Sequence, residues 1–164
     1  MPVQTGRTNA KWIQVFLENS NLTMTEITAY VNSVGTAGLT FDTTDVTAYA
    51  DFVKNFTLGQ PGAPITLSGP FDTTLFAMMI GYNSNGRGTS SNAPLTLNIL
   101  MGIQHAWVAG EPCFGLSGST AKQSGYQVSA FSVNTQGMTW TATLAVAGSV
   151  APSWATASSF ARLN

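Results

Sequence analysis

The sequence predicts a mainly β domain, a β-sandwich or barrel with one flanking α-helix. Three observations predict it. Apolar and polar residues alternate in several short runs, turn-forming residues separate those runs at regular intervals, and one stretch carries a helical apolar stripe behind a capping aspartate.

Taken in order, Lys11 to Leu17 (KWIQVFL) holds β-branched and aromatic residues with few breakers and reads as a strand. Thr23 to Val34 reads as a second strand around Ile27, Ala29 and Val31. After Gly38, LTFDTTD is a short strand. Asp45 to Phe56 then places Val46, Tyr49, Ala50 and Val53 at helical spacing, so a short helix and an ordered loop are both open there. Gly59, Pro61, Gly62 and Pro64 break regular structure, which predicts a projecting loop that ends near Pro64 before ITLSG resumes an alternating strand at Ile65. Asp72 can cap Thr73 to Ile80, where Leu75, Phe76, Met79 and Ile80 form one apolar stripe and Gly81 offers a stop.

Asn83 to Asn92 (NSNGRGTSSN) contains only turn-forming and polar residues and predicts a surface loop. Leu95, Leu97, Ile99 and Met101 alternate with Thr96 and Asn98. Trp107 and Val108 open a further apolar run, which would put His105 inside a strand. Tyr126 to Val133 and Gly137 to Gly148 are two long runs around Asn134, Thr135 and Gln136, a β-hairpin pattern. In the second run Met138, Trp140, Ala142, Leu144 and Val146 alternate with three threonines, so Trp140 belongs on a buried face. No internal repeat divides the chain, and its 164 residues suit a single domain, 1–164, with short arms at about 1–10 and 152–164.

Composition limits what such a domain can do. Apolar residues make up 44% of the chain but charged residues only 8%, against about 25% in ordinary soluble domains. Thr, Ser, Asn, Gln and Gly must cover the surface instead, and they set up little long-range repulsion between copies. Six Lys and Arg against seven Asp and Glu include no basic run to gather phosphates, which argues against sequence-specific nucleic-acid binding. No segment has the length of apolar sequence that a membrane helix or signal peptide needs, so the expected site of synthesis is the cytoplasm and no membrane partner is expected.

Chemistry is equally constrained. The lone Cys113 cannot form an internal disulfide, and Cys and His do not occur at metal-ligand spacing. His105 is the one histidine and reads as a structural or interface residue. Asp42 and Asp45, three apart near a turn, read as caps for backbone amides. The glycines of GYNSNGRG lack the Lys-Ser/Thr ending of a phosphate loop. No catalytic, cofactor-binding or metal-binding residue is assigned, and the expectation is a protein without enzymatic activity or cofactor.

One order of features carries a resemblance: ITAYVNSVGTAGLTFDTTDVTAY, then a loop closing in LGQPGAPITLSGPFDTT, then a helix. It resembles the major tail tube proteins of long-tailed bacteriophages and their small virion relatives. In that family a strand leads into an Asp-Val-Thr segment like Asp45-Val46-Thr47, a loop ends near a glycine like Gly59, and a strand finishes in a Gly-x-Phe-Asp element like Gly69 to Asp72. Gly137 to Ser149 (GMTWTATLAVAGS) is similar to the family's closing strand. These stretches cover less than half the chain.

The resemblance implies a sandwich protomer with a flanking helix, six copies of which pair their sheets edge to edge in a ring. Stacked rings enclose the DNA passage of the virion, without specific contact to the DNA, after assembly in the bacterial host cytoplasm. Its implied partners are copies of itself and other tail or head virion proteins. Joining edge strands between copies removes the exposed edges that otherwise promote aggregation, and closed symmetry directs growth. One departure is charge: tail tubes commonly present an acidic lumen, and seven acids against six bases leave little to line it. The same fold occurs in capsid decoration and minor capsid proteins, which form the second reading, with a sandwich-type binding module as the third.

The candidate assembly surface is the stretch Asp45 to Gly62. Its residues Asp45, Tyr49, Phe52, Val53, Lys54 and Phe56 carry more apolar surface than a free loop should, and Pro61 and Gly62 limit its path. The competing expectation is that these residues form a helix packed on their own core.

Overall fold

The computed structural model describes residues 10–18, 24–50, 52–85, 96–115, 124–148 and 152–156. They form eleven strands and one α-helix: β1 (Ile13–Glu18), β2 (Met24–Glu26), β3 (Ser33–Val34), β4 (Thr40–Asp45), β5 (Phe56–Gly62), β6 (Ile65–Pro70), α1 (Thr73–Asn85), β7 (Leu97–Met101), β8 (Cys113–Gly115), β9 (Ser124–Asn134), β10 (Thr139–Gly148) and β11 (Ser153–Ala155). A five-stranded sheet runs β11-β8-β7-β1-β2 and a four-stranded sheet runs β3-β6-β10-β9, while β4 and β5 make a two-stranded ribbon of their own. All pairings are antiparallel. The fold is mainly β with one helix, as the alternation predicts.

The two larger sheets share one core. Val15, Leu17, Leu97, Ile99 and Phe114 come from the five-stranded sheet, and Ile65, Leu67, Tyr126, Trp140, Ala142 and Leu144 from the four-stranded one. Leu75 and Met79 of α1 close this core, and Phe76 meets Phe131 of β9 at 6.0 Å between ring centres. Asp72 caps the helix as expected, its Oδ1 accepting from the Thr74 N–H at 2.7 Å and the Leu75 N–H at 3.3 Å. The outer face of the five-stranded sheet carries a second apolar cluster, in which Leu100 and Cys113 are covered by Phe16, Trp107 and Ala155. Burial on both faces of β7 explains why Asn98, a polar residue in the alternation, is fully buried.

The strongest hairpin pattern in the sequence is the longest pairing in the structure. β9 and β10 pair from Thr139↔Asn134 to Gly148↔Ser124, with a register shift between Thr143 and Leu144. Asn134 Oδ1 accepts from the Gln136 and Gly137 N–H groups at 3.0 and 3.2 Å, which shapes the turn between the strands. Trp140 is 1% exposed, and its indole N–H donates to the Tyr30 carbonyl at 3.1 Å. Opposite it in β6 lies Gly69. A Cβ on Gly69 would stand 1.9 Å from the Tyr30 oxygen, so the close approach of these three residues requires glycine.

Several expectations are corrected. Thr23 to Val34 is not one strand: β2 ends at Glu26, a 3-10 turn spans Thr28–Tyr30 and β3 is only Ser33–Val34, with Thr23 itself outside the described residues. The break has a cause, because the Thr28 hydroxyl accepts from the Val15 N–H at 2.9 Å while Tyr30 turns its carbonyl to Trp140, and the chain crosses between sheets there. Gly59 to Gly62 does not break structure but lies within β5. A strand in a two-stranded ribbon uses one edge only, so Pro61 need not cost a ladder bond, and the register shift between Phe41 and Thr43 takes up the extra length. The helix continues past Gly81 to Asn85, since one glycine lowers helix stability by about 1 kcal/mol and need not end it. Asn83 to Asn85 are therefore helical, and the rest of the Asn83–Asn92 stretch, like Leu95, lies outside the described residues.

Two substitutions probe the core. Trp140→Ala should lower stability by about 3–5 kcal/mol, read from the denaturant midpoint; a loss below about 1 kcal/mol would mean that the indole does not carry the core. Gly69→Ala should cost on the order of 3 kcal/mol by forcing the Tyr30 backbone aside. Because both changes act through the Tyr30 carbonyl, their losses should fall short of additive in the double variant.

Candidate functional site

The β4–β5 ribbon is the part of the described structure with the most apolar surface in solvent. All six candidate residues, Asp45, Tyr49, Phe52, Val53, Lys54 and Phe56, are exposed. Relative exposures of 114% for Tyr49 and 104% for Phe52 mean that these rings touch essentially nothing among the described residues. The competing expectation of a helix packed on the core is not met: 46–55 joins the two strands as the tip of the ribbon, with Asp51 outside the described residues.

A small polar clasp sets the tip. Asp45 Oδ1 accepts from the Thr47 N–H at 2.9 Å and from the Thr47 hydroxyl, and the Thr47 hydroxyl oxygen accepts from the Asn55 N–H at 2.9 Å. The Val46 N–H donates to the Asn55 carbonyl at 2.9 Å and continues the ladder. Asp45 is thus the amide cap that its spacing predicts. The Thr47 hydroxyl, and after it the Thr47 N–H, hold its carboxyl below the usual carboxylate range, against a small opposing effect of desolvation. Closing the neck of the loop in this way leaves Tyr49, Phe52 and Val53 beyond it.

The register makes the ribbon two-faced. Thr43 opposes Leu58 and Asp45 opposes Phe56, so Phe41, Leu58 and Phe56 share one face with Thr43 and Asp45 by the two-residue alternation of strands. Thr40, Asp42, Thr44 and Thr57 occupy the other. Phe41, Phe56 and Leu58 are all exposed, so the apolar part of this face is left uncovered by the described residues. Phe41 and Leu58 were missed by sequence reasoning. The period-two spacing of Phe41, Thr43 and Asp45 was visible, but nothing in it tells a face turned to the core from one turned to solvent.

The other chemistry-bearing residues do not converge. His105 is exposed in a loop after β7 rather than in a strand, a correction whose cause is Glu111. Its carboxylate accepts from the Ile103 and Val108 N–H groups at 3.1 and 3.0 Å and stands 3.5 Å from His105 Nε2, so it gathers the 102–112 segment into a loop. The buried Cys113 thiol donates to the Ala155 carbonyl at 3.0 Å. Burial raises the Tyr126 phenol well above its ordinary value. Among the described residues no three His, Cys, Asp or Glu side chains come together as a metal site, and no helix is long and apolar enough to cross a membrane.

No protein family and no curated protein matches the sequence. Solved structures do match the fold. A chain of the virion of a native gene transfer agent particle aligns with a TM-score of 0.53 at 16% identity, covering 91% of this chain and 99% of that one. A chain of the sheath/tube terminator of an extracellular contractile injection system, PVC, in the extended state aligns with a TM-score of 0.50 at 18% identity, covering 93% of this chain and 95% of that one. The chain therefore has a fold found in virions and tail-like particles, over nearly its whole length.

Proposed function

We propose that the chain is a non-enzymatic structural subunit of a phage or phage-like particle, and that it assembles with copies of itself as a tail tube protein in stacked rings. The observation that carries this reading is the β4–β5 ribbon, whose apolar face and aromatic tip stand in solvent. An exposed apolar patch of this size marks an interaction surface, and Tyr and Phe side chains are suited to anchoring one by filling pockets on a partner. The virion-related fold and the 8% charged composition support the same reading. A second reading, a terminator that caps a tube with one ring, is favoured by the likeness to a sheath/tube terminator.

Phe52→Ser with Phe56→Ser tests the assembly role. Both side chains are exposed, so the melting temperature should stay within about 2 °C of the parent, as for surface changes of under ~0.5 kcal/mol. Negative-stain images and light scattering should show rings or tubes for the parent and a monomer or unextended ring for the variant. Full-length tubes from the variant would refute the role. In the same images, parent rings that stack by themselves support the tube, whereas rings that remain single and bind the ends of preformed tubes support the terminator.

A further inference from the structure

We infer that the ribbon of one copy docks into a cleft on a second copy of the chain, formed between β1 and the segment that leads through the Thr28–Tyr30 turn into β3. This rests on the assembly reading above and supplies the other half of its contact.

The cleft measures about 360 Å³ and is lined by Ile13 and Val15 of β1 with Thr28, Val31, Ser33 and Val34. Clefts of roughly 300–1,000 Å³ are of the size that encloses compact apolar groups. Ile13, Val31 and Val34 pack on the main core yet keep part of their surface in the open. A ring entering there would extend the core rather than found a new contact. Thr28 and Ser33 add polar atoms at its walls, and Asn32 stands exposed at its rim.

Three observations name the occupant. First, the chain's own ribbon does not fill its own cleft, because Tyr49 and Phe52 are fully in solvent. Secondly, charge disfavours the pairing of two ribbons with each other. Residues 40–62 hold three of the seven acids and one of the six bases, a balance of minus two. Ribbon against ribbon is therefore repulsive. Thirdly, the area is sufficient. Aromatic side chains bury about 150–250 Å² each, so Phe41, Tyr49, Phe52 and Phe56, as exposed as they are, offer on the order of 600 Å². Val46, Val53 and Leu58, also exposed, bring the total close to the ~800 Å² per partner of a standard specific interface. Because knob and cleft are different surfaces, the contact is heterologous and repeats from copy to copy, closing into a ring or continuing as a stack.

Two proteins with one added cysteine each test the pairing: Phe52→Cys at the tip and Asn32→Cys at the rim, both keeping the buried Cys113. Mixed under mild oxidation, they should give a disulfide-linked dimer that neither gives alone. Asn32→Glu, which faces the acidic ribbon, should raise the concentration needed for assembly about tenfold, whereas Asn32→Gln should leave it unchanged. If the Phe52→Ser, Phe56→Ser protein fails to assemble but the mixture does not cross-link and Asn32→Glu assembles normally, the ribbon docks elsewhere and this pairing is wrong while the assembly reading stands. A 52-to-52 cross-link within Phe52→Cys alone overturns it in favour of ribbon pairing. Normal assembly of the double serine variant removes both.

Discussion

The indole N–H of Trp140 donates to the Tyr30 carbonyl at 3.1 Å while Gly69 leaves room for the approach, and the rest of the architecture is arranged around that contact. Trp140 lies in β10 and Gly69 in β6, whereas Tyr30 lies in the passage from one sheet to the other. A buried indole needs a partner for its N–H, and here a single acceptor both satisfies it and fixes where the chain crosses. The position of β3 follows, since its Val34 pairs with Leu67 and the Gly35 N–H donates to the Thr66 carbonyl. The ribbon emerges a few residues later at Thr40. Core packing thus sets the placement of a surface that takes no part in the core.

Much of the fold is legible in the sequence where one face is buried and the other wet. Trp140, Ala142 and Leu144 alternate with threonines and are buried, and Asp72 announces α1 through its capping side chain. What is not legible depends on partners distant in sequence. The β-propensity of Ile27 and Val31 gives no sign that Thr28 bonds β1 or that Tyr30 faces Trp140. Pro61 and its neighbouring glycines count against a strand, and only the absence of a second neighbour makes one tolerable there. His105 reads as a strand residue because the pull of Glu111 on the loop amides is invisible in composition. At the candidate site, the surplus of aromatic residues between Asp45 and Gly62 is legible. The two-faced ribbon that presents them is not, because it follows from register.

Low charge and an uncovered apolar ribbon belong to one physical arrangement. A chain with 8% charged residues has little repulsion to keep copies apart, so specificity must come from shape and from where apolar surface is placed. Threonines on the second face of the ribbon, Thr40, Thr44 and Thr57, keep that side compatible with water. One face thereby exposes aromatic and aliphatic side chains and the other is polar.

The ribbon also bears on timing. Two strands without a third, and without a helix over them, are marginal in water by themselves, so the polar clasp of Asp45, Thr47 and Asn55 supplies much of the local order that the tip has before any partner arrives. On the assembly reading, the remaining loss of conformational freedom is met only when a neighbour covers the apolar face. In a heterologous contact the first pair of copies covers one ribbon and leaves the other bare, whereas closing a ring covers every ribbon. On that reading such a subunit would stay dispersed until a seed forms and then grow quickly, so that supplying the seed would set the start of assembly.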